Sequence, residues 1–154
     1  MAHLHIVGLG PGDERQLPVG SWELLRSADH VRIRTADHPV CRALEREGIR
    51  PRYYDDLYVR HVDFQEVYVR IVDDLISLAR TEAGDIVYAV PGHPSVAEAT
   101  VRMLKERCPG EGIACTIHGG GSFLDQAFLS FGFDPIEGFM LLDAAQLRAS
   151  LIEP

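Results

Sequence analysis

Apolar residues along the chain switch repeatedly between short runs and a three-to-four-residue period. Leu4, Ile6 and Val7 mark His3 to Val7 as a short buried strand, which runs into Gly8-Leu9-Gly10-Pro11-Gly12-Asp13. Trp22, Leu24, Leu25 and Ala28 predict a helix over 18–28, opened near Pro18. Val31 and Ile33 alternate with Arg32 and Arg34, the pattern of a half-buried strand over 30–35. A short helix follows over 39–47, closed by Gly48, with a further strand over 49–54. From Phe64 to Ala79 the apolar residues Phe64, Val67, Tyr68, Ile71, Val72, Leu75, Ile76 and Ala79 recur at helical spacing, and Arg70, Asp73 and Asp74 take the other face. Residues 85–90 form a nearly continuous apolar run, expected of a central strand covered on both faces, and it ends in Pro91-Gly92-His93-Pro94. Ser95, with Glu98 three positions on, predicts a capping box at the start of the next helix. A strand over 113–117 then leads into Gly119-Gly120-Gly121, and Ser122 with Asp125 repeats the capping pattern. Phe139 to Leu142 is a last apolar run, and a helix is expected to start over 144–151.

Strands separated by helices imply an α/β fold: a Rossmann-like, open, mostly parallel sheet flanked by helices. Ligands in such folds bind beyond the carboxyl ends of the strands. The glycine-bearing loops at 8–13, 91–94 and 119–122 each follow a predicted strand, so all should open on one edge of the sheet. That placement is the main bottom-up argument for a small-molecule site.

Composition narrows the classes. A length of 154 residues suits one domain, or one domain and the start of another. A net charge of −8 with scattered arginines argues against a nucleic-acid partner, which needs clustered cations. No apolar run approaches the roughly 18 residues of a membrane span. The segment 1–10 lacks a basic leader and reads as a buried strand, not a secretion signal. Cys41, Cys108 and Cys115 are an odd set without CxxC spacing, so reduced thiols in a cytoplasmic protein are expected.

The first loop fails the dinucleotide fingerprint, because Asp13 stands where the third glycine should be, and no P-loop exists. Asp13 would repel a diphosphate. A ligand of little anionic character, with an adenine or amino-acid part, fits better; the competing reading is a tight turn with Asp13 as a cap. His93 at a strand tip suits a hydrogen bond to a ligand hydroxyl or a proton shuttle, or it is an exposed turn residue. His3 and His5 alternate on the first strand, while His38, His61 and His118 lie in or near loops; no metal-ligand spacing is present and no metal is expected. Ser122 lacks a nucleophile elbow and reads as a cap. Asp55-Asp56 and Asp73-Asp74 read as solvated faces or turns. No catalytic residue is assigned.

Taken together, G-L-G-P-G-D at 8–13, A-D-x-V-x-x-R-T at 28–35, P-G-H-P at 91–94 and G-G-S-F-L-D at 120–125 resemble the tetrapyrrole (corrin/porphyrin) methylase family. R-T-x-x-H-P (Arg34, Thr35, His38, Pro39), D-D-L-Y at 55–58 and F-D-P-I-E-G at 133–138 are similar to the subgroup that some bacteria fuse to a MazG nucleotide pyrophosphohydrolase. The resemblance covers about 4–145 and implies a two-lobed S-adenosylmethionine-dependent methyltransferase with the cofactor in the cleft between lobes. It implies cofactor contacts at Leu9, Gly10, Pro11, Gly92, His93, Val96, Ser122 and Phe123. Residues 1–118 would then be the first α/β lobe, and 119–154 the connection to an incomplete second lobe. Corrin-pathway members usually carry Asp where this chain has His93, so a porphyrinoid acceptor is not expected. The rival reading is a non-catalytic nucleotide- or metabolite-binding module that regulates a MazG-type pyrophosphohydrolase; a weaker third is a nucleotide-binding oxidoreductase. Ile136, Phe139, Met140, Leu141 and Leu142 are candidates for a homodimer contact.

Overall fold

The computed structural model describes residues 2–144, and the expected helix over 144–151 lies outside them but for its first residue. The chain forms β1 (His3–Gly8), α1 (Val19–Ser27), β2 (His30–Ile33), α2 (Pro39–Arg46), β3 (Arg52–Tyr53), α3 (Asp55–Arg60), α4 (Phe64–Thr81), β4 (Asp85–Val90), α5 (Ala99–Gly110), β5 (Ala114–His118) and α6 (Phe123–Phe131). The five strands make one sheet in the order β3-β2-β4-β1-β5, and every pairing is parallel. The α/β reading of the sequence holds. The described residues up to Phe123 form one compact unit, and a second begins at Leu124.

Period-two alternation divides the sheet between two cores. Leu4 and Ile6 of β1 and Ile86, Tyr88 and Val90 of β4 face a larger core with Val67, Ile71, Val72 and Leu75 of α4 and Val101 and Leu104 of α5. Val7, Val31, Ile33, Val87 and Ala89 face the opposite core with Leu25 of α1 and Val40, Cys41 and Leu44 of α2. Each fully buried aliphatic side chain contributes about 1.5–3 kcal/mol. Burying β4 on both faces explains why its sequence is a continuous apolar run and not an alternating one.

Several expectations are corrected. The strand expected over 49–54 shrinks to residues 52 and 53, and α3 begins two residues later where turns were expected. Asp55 is not solvated: it accepts from Thr35 Oγ1 at 2.7 Å and the Ala36 N–H at 2.9 Å. Asp74 accepts from the Tyr54 hydroxyl at 2.6 Å and approaches Arg52 at 3.4 Å. The capping box at Ser95 does not form, because α5 starts only at Ala99. His93 Nδ1 takes the Ser95 N–H at 3.1 Å, Ala97 adopts φ of 55°, and Arg34 takes the Glu98 carboxylate. A tertiary ion pair has displaced a local cap. The apolar run 139–142 forms no helix or strand.

Two glycines give opposed expectations. A Cβ at Gly8 would overlap the Gly92 carbonyl oxygen and lie 2.7 Å from Pro94 Cδ, whereas one at Gly20 in α1 meets nothing within 4 Å. Gly8→Ala should therefore cost about 1–3 kcal/mol through overpacking. Gly20→Ala should gain up to about 1 kcal/mol through helix propensity. Urea unfolding of both variants checks the pair; equal stabilities would contradict the packing described.

Candidate functional site

The connections after β1 and β4, neighbours in the sheet, leave toward opposite faces: α1 packs in one core and α5 in the other. Such a switch point opens a crevice at the carboxyl edge of the sheet. The two loops are joined there by a backbone bridge. The Gly10 N–H donates to the Gly92 carbonyl at 3.1 Å, and the Gly92 N–H donates to the Gly10 carbonyl at 3.0 Å. Both glycines hold positive φ, 73° and 68°, a conformation that disfavours any side chain. The third loop closes on the first two: ideal Cβ positions at Gly119, Gly120 and Gly121 fall 3.9 Å from His93 Nε2, 3.3 Å from the Gly8 carbonyl oxygen and 3.3 Å from Pro11 Cδ. The structure thus brings together the glycine loops that the sequence placed on one edge.

Each residue named from the sequence has a distinct position. Leu9 is fully buried in the smaller core, and its N–H donates to the Val90 carbonyl at 2.8 Å, so only its backbone borders the crevice. The N–H groups of Gly10 and Gly92 are consumed by their mutual bridge. Pro11 is exposed beside Gly121. His93 accepts at Nδ1, which in the neutral ring leaves Nε2–H as a donor on the Gly119 side. The Val96 N–H is tied to the His93 carbonyl at 3.0 Å within the same loop. Ser122 is buried directly before α6, and Phe123, the first residue of that helix, is half exposed.

Sequence reasoning missed two groups at this edge. His38 accepts the Val40 N–H at Nδ1, 3.3 Å away, and so caps α2; its Nε2 lies 3.1 Å from the Gly10 carbonyl. One neutral tautomer serves both bonds, with Nε2–H donating. Burial pulls the His38 pKa down and favours that neutral form, outweighing the Gly10 carbonyl bond and Asp37, which raise it. The second group is the ion pair of Arg34 with Glu98, 2.8 Å, joining the end of β2 to the residue that precedes α5. The Glu98 side chain is 5% exposed, and its Oε2 is buried without a hydrogen-bond partner. Burial pushes the Glu98 pKa up to about 7 despite the opposing pull of Arg34. The available signals were the R-T-x-x-H-P motif for Arg34 and His38, and the failed cap for Glu98. A separate open cavity of about 740 Å³ lies beside the edge, lined by residues 36–39 with Arg42, Glu45 and Arg46, and it shares His38 with the loop network.

The carboxyl edge of the sheet thus carries bridged glycine loops with an imidazole donor at His93, and an Arg34–Glu98 pair with one buried carboxylate oxygen that lacks a donor. A family model described as Tetrapyrrole (Corrin/Porphyrin) Methylases matches residues 3–150. Over 148 residues the chain is 48% identical to the uncharacterized protein YabN of Bacillus subtilis (strain 168). That match takes in 96% of this chain but 30% of YabN, so the chain spans about a third of its relative's length.

The Glu98 geometry gives a pH dependence with a definite sign. Its folded pKa of about 7 lies above the ordinary 4.5, so the native state holds the extra proton between those values. Stability contributed by that proton is full below about 4.5 and is lost as pH rises through about 7. Urea unfolding across this window should show the wild type losing a few kcal/mol relative to Glu98→Gln on going up in pH. His38 titrates in both proteins and cancels in the difference. Parallel pH profiles would contradict the assignment.

Proposed function

The chain belongs to the tetrapyrrole methylase family, and from that premise we propose that it binds S-adenosylmethionine at the loop edge and directs methyl transfer to a small-molecule acceptor. The observation that carries this reading is the convergence of the glycine loops after β1, β4 and β5 at the switch point, with the Glu98 Oε2 buried and unpartnered next to Arg34 at the same sheet edge. An orphaned acceptor is costly unless a ligand supplies a donor. S-adenosylmethionine carries an ammonium group, ribose hydroxyls and an adenine amine, so the residues present fit it. They suit a diphosphate poorly: Asp13 is ionised against Arg15, which holds its carboxyl below the usual range.

When bound, the cofactor supplies an electrophilic methyl group. The chain's own residues bind and orient. The backbone of Leu9, Gly10 and Pro11 and that of Gly92 form the floor, His93 Nε2–H and Glu98 Oε2 provide a donor and an acceptor, and Val96, Ser122 and Phe123 flank them. The Gly10–Gly92 bridge ties together the two loops that form this floor. Orientation of this kind supplies a large share of the rate when no acid–base chemistry is needed.

The division into a first lobe over 1–118 and the start of a second over 119–154 belongs to the same proposal, as does a homodimer. Ile136 and Met140 are 86% and 71% exposed, and Phe139, Leu141 and Leu142 are also exposed, an apolar patch suited to a second copy. A second reading, a non-catalytic module serving an attached MazG-type pyrophosphohydrolase, is supported by the length of YabN relative to this chain. Among the described residues no helix is long and apolar enough to cross a membrane.

Isothermal titration with S-adenosylhomocysteine tests the cofactor reading without turnover. One site is expected, weakened about tenfold in His93→Ala, the value of one lost hydrogen bond to a ligand. No binding at millimolar ligand would overturn it, and binding without methyl transfer to any acceptor would favour the regulatory module. Light scattering at micromolar protein should give a dimer mass that Met140→Asp converts to monomer; a monomeric wild type would rule out the dimer.

A further inference from the structure

At the opposite end of the sheet from the glycine loops, β1 starts with two histidines on one face. His3 and His5 project on the same side because strand side chains alternate, and their rings stack with centroids 4.1 Å apart. In the parallel register His3 lies beside Asp85, the first residue of β4. One donor atom from each of His3, His5 and Asp85 falls within 4.8 Å of the others. We propose that these three residues bind a divalent transition-metal ion of the zinc, cobalt or nickel class.

The chemistry of the donor set fits: two imidazoles and a carboxylate suit such ions and leave room for water in the remaining position. His5 Nε2 faces Asp85 Oδ1 at 3.7 Å. Two bonds of about 2.1 Å at a tetrahedral angle would set donors roughly 3.4 Å apart, so small side-chain rotations complete the site. The supporting shell is already in place. His5 Nδ1 lies 3.1 Å from His118 Nε2, so a metal on Nε2 would leave Nδ1–H to donate to His118. His3 is held by Thr116 Oγ1 at 2.8 Å, and the Asp85 backbone N–H donates to Asp29 at 3.0 Å. The same sheet face is apolar further along, at Val7, Val87 and Ala89. A polar cluster replaces the core only where the donors converge. An ion there would tie the amino ends of β1 and β4 together and stabilise the native state in proportion to its concentration.

Titration of the tag-free chain with Co²⁺ alone, followed by its visible absorption, tests this directly. One equivalent is expected to develop a low-symmetry Co²⁺ spectrum that Zn²⁺ displaces. His5→Gln and Asp85→Asn should abolish it, and His118→Ala should weaken binding about tenfold through the lost support. Asp85 is more than half exposed, so its variant retains the fold and decides the matter if His5→Gln does not fold. His30→Gln, at a separate pair with Glu82, should leave binding unchanged. No one-equivalent spectrum, binding that survives Asp85→Asn, or binding that follows His30 would overturn the proposal.

Discussion

The backbone bridge between Gly10 and Gly92 is the constraint from which the candidate site follows. It sits where neighbouring parallel strands send their chains to opposite faces of the sheet, the one place where such a fold opens a crevice. Two reciprocal hydrogen bonds tie the two loops together there, and both positions take a positive φ that favours glycine. Gly8 must also lack a Cβ for the Gly92 carbonyl to approach, and Gly120 lies close against Gly8. Glycine is therefore explained at positions 8 and 120 by close approach of backbone on backbone, and at positions 10 and 92 by positive φ. The Gly10 and Gly92 N–H groups are spent on joining the loops and are not free to cradle a phosphate.

Polar side chains then extend the network outward. His38 ties the end of β2 to the Gly10 carbonyl while capping α2, so one neutral ring couples a helix start to the loop bridge. Arg34 and Glu98 join the end of β2 to the start of α5, but the pair leaves one carboxylate oxygen buried without a donor. A buried pair of this kind offers little net stability, since desolvation offsets much of the Coulomb attraction. Its place at the carboxyl edge, with Ala97 strained at positive φ next to Glu98, gives it a functional reading instead.

The alternation of strands and helices was legible because each period matches a burial pattern: continuous at β4, alternating at β2, helical along α4. The convergence of the glycine loops was legible for the same reason, since parallel strands put their following loops on one edge. What local reasoning could not see were contacts between segments distant in the chain. Ser95 and Glu98 read as a capping box because the spacing is right, yet Arg34, more than sixty positions away, offers Glu98 a stronger partner. Asp55 and Asp74 read as solvated for want of any local partner, and both are claimed by Thr35 or Tyr54 across the fold. His3 and His5 looked unremarkable for metal binding because their third partner, Asp85, is brought near only by sheet register.

The carboxyl edge of the sheet, between the loops after β1, β4 and β5, is the proposed binding edge. Two-dimensional amide NMR of the labelled chain with saturating S-adenosylhomocysteine locates the ligand directly. On that proposal the largest shift changes are expected on residues 92–98 and 119–123. Changes confined to residues 36–46, around the neighbouring cavity, or no changes at all, would contradict it.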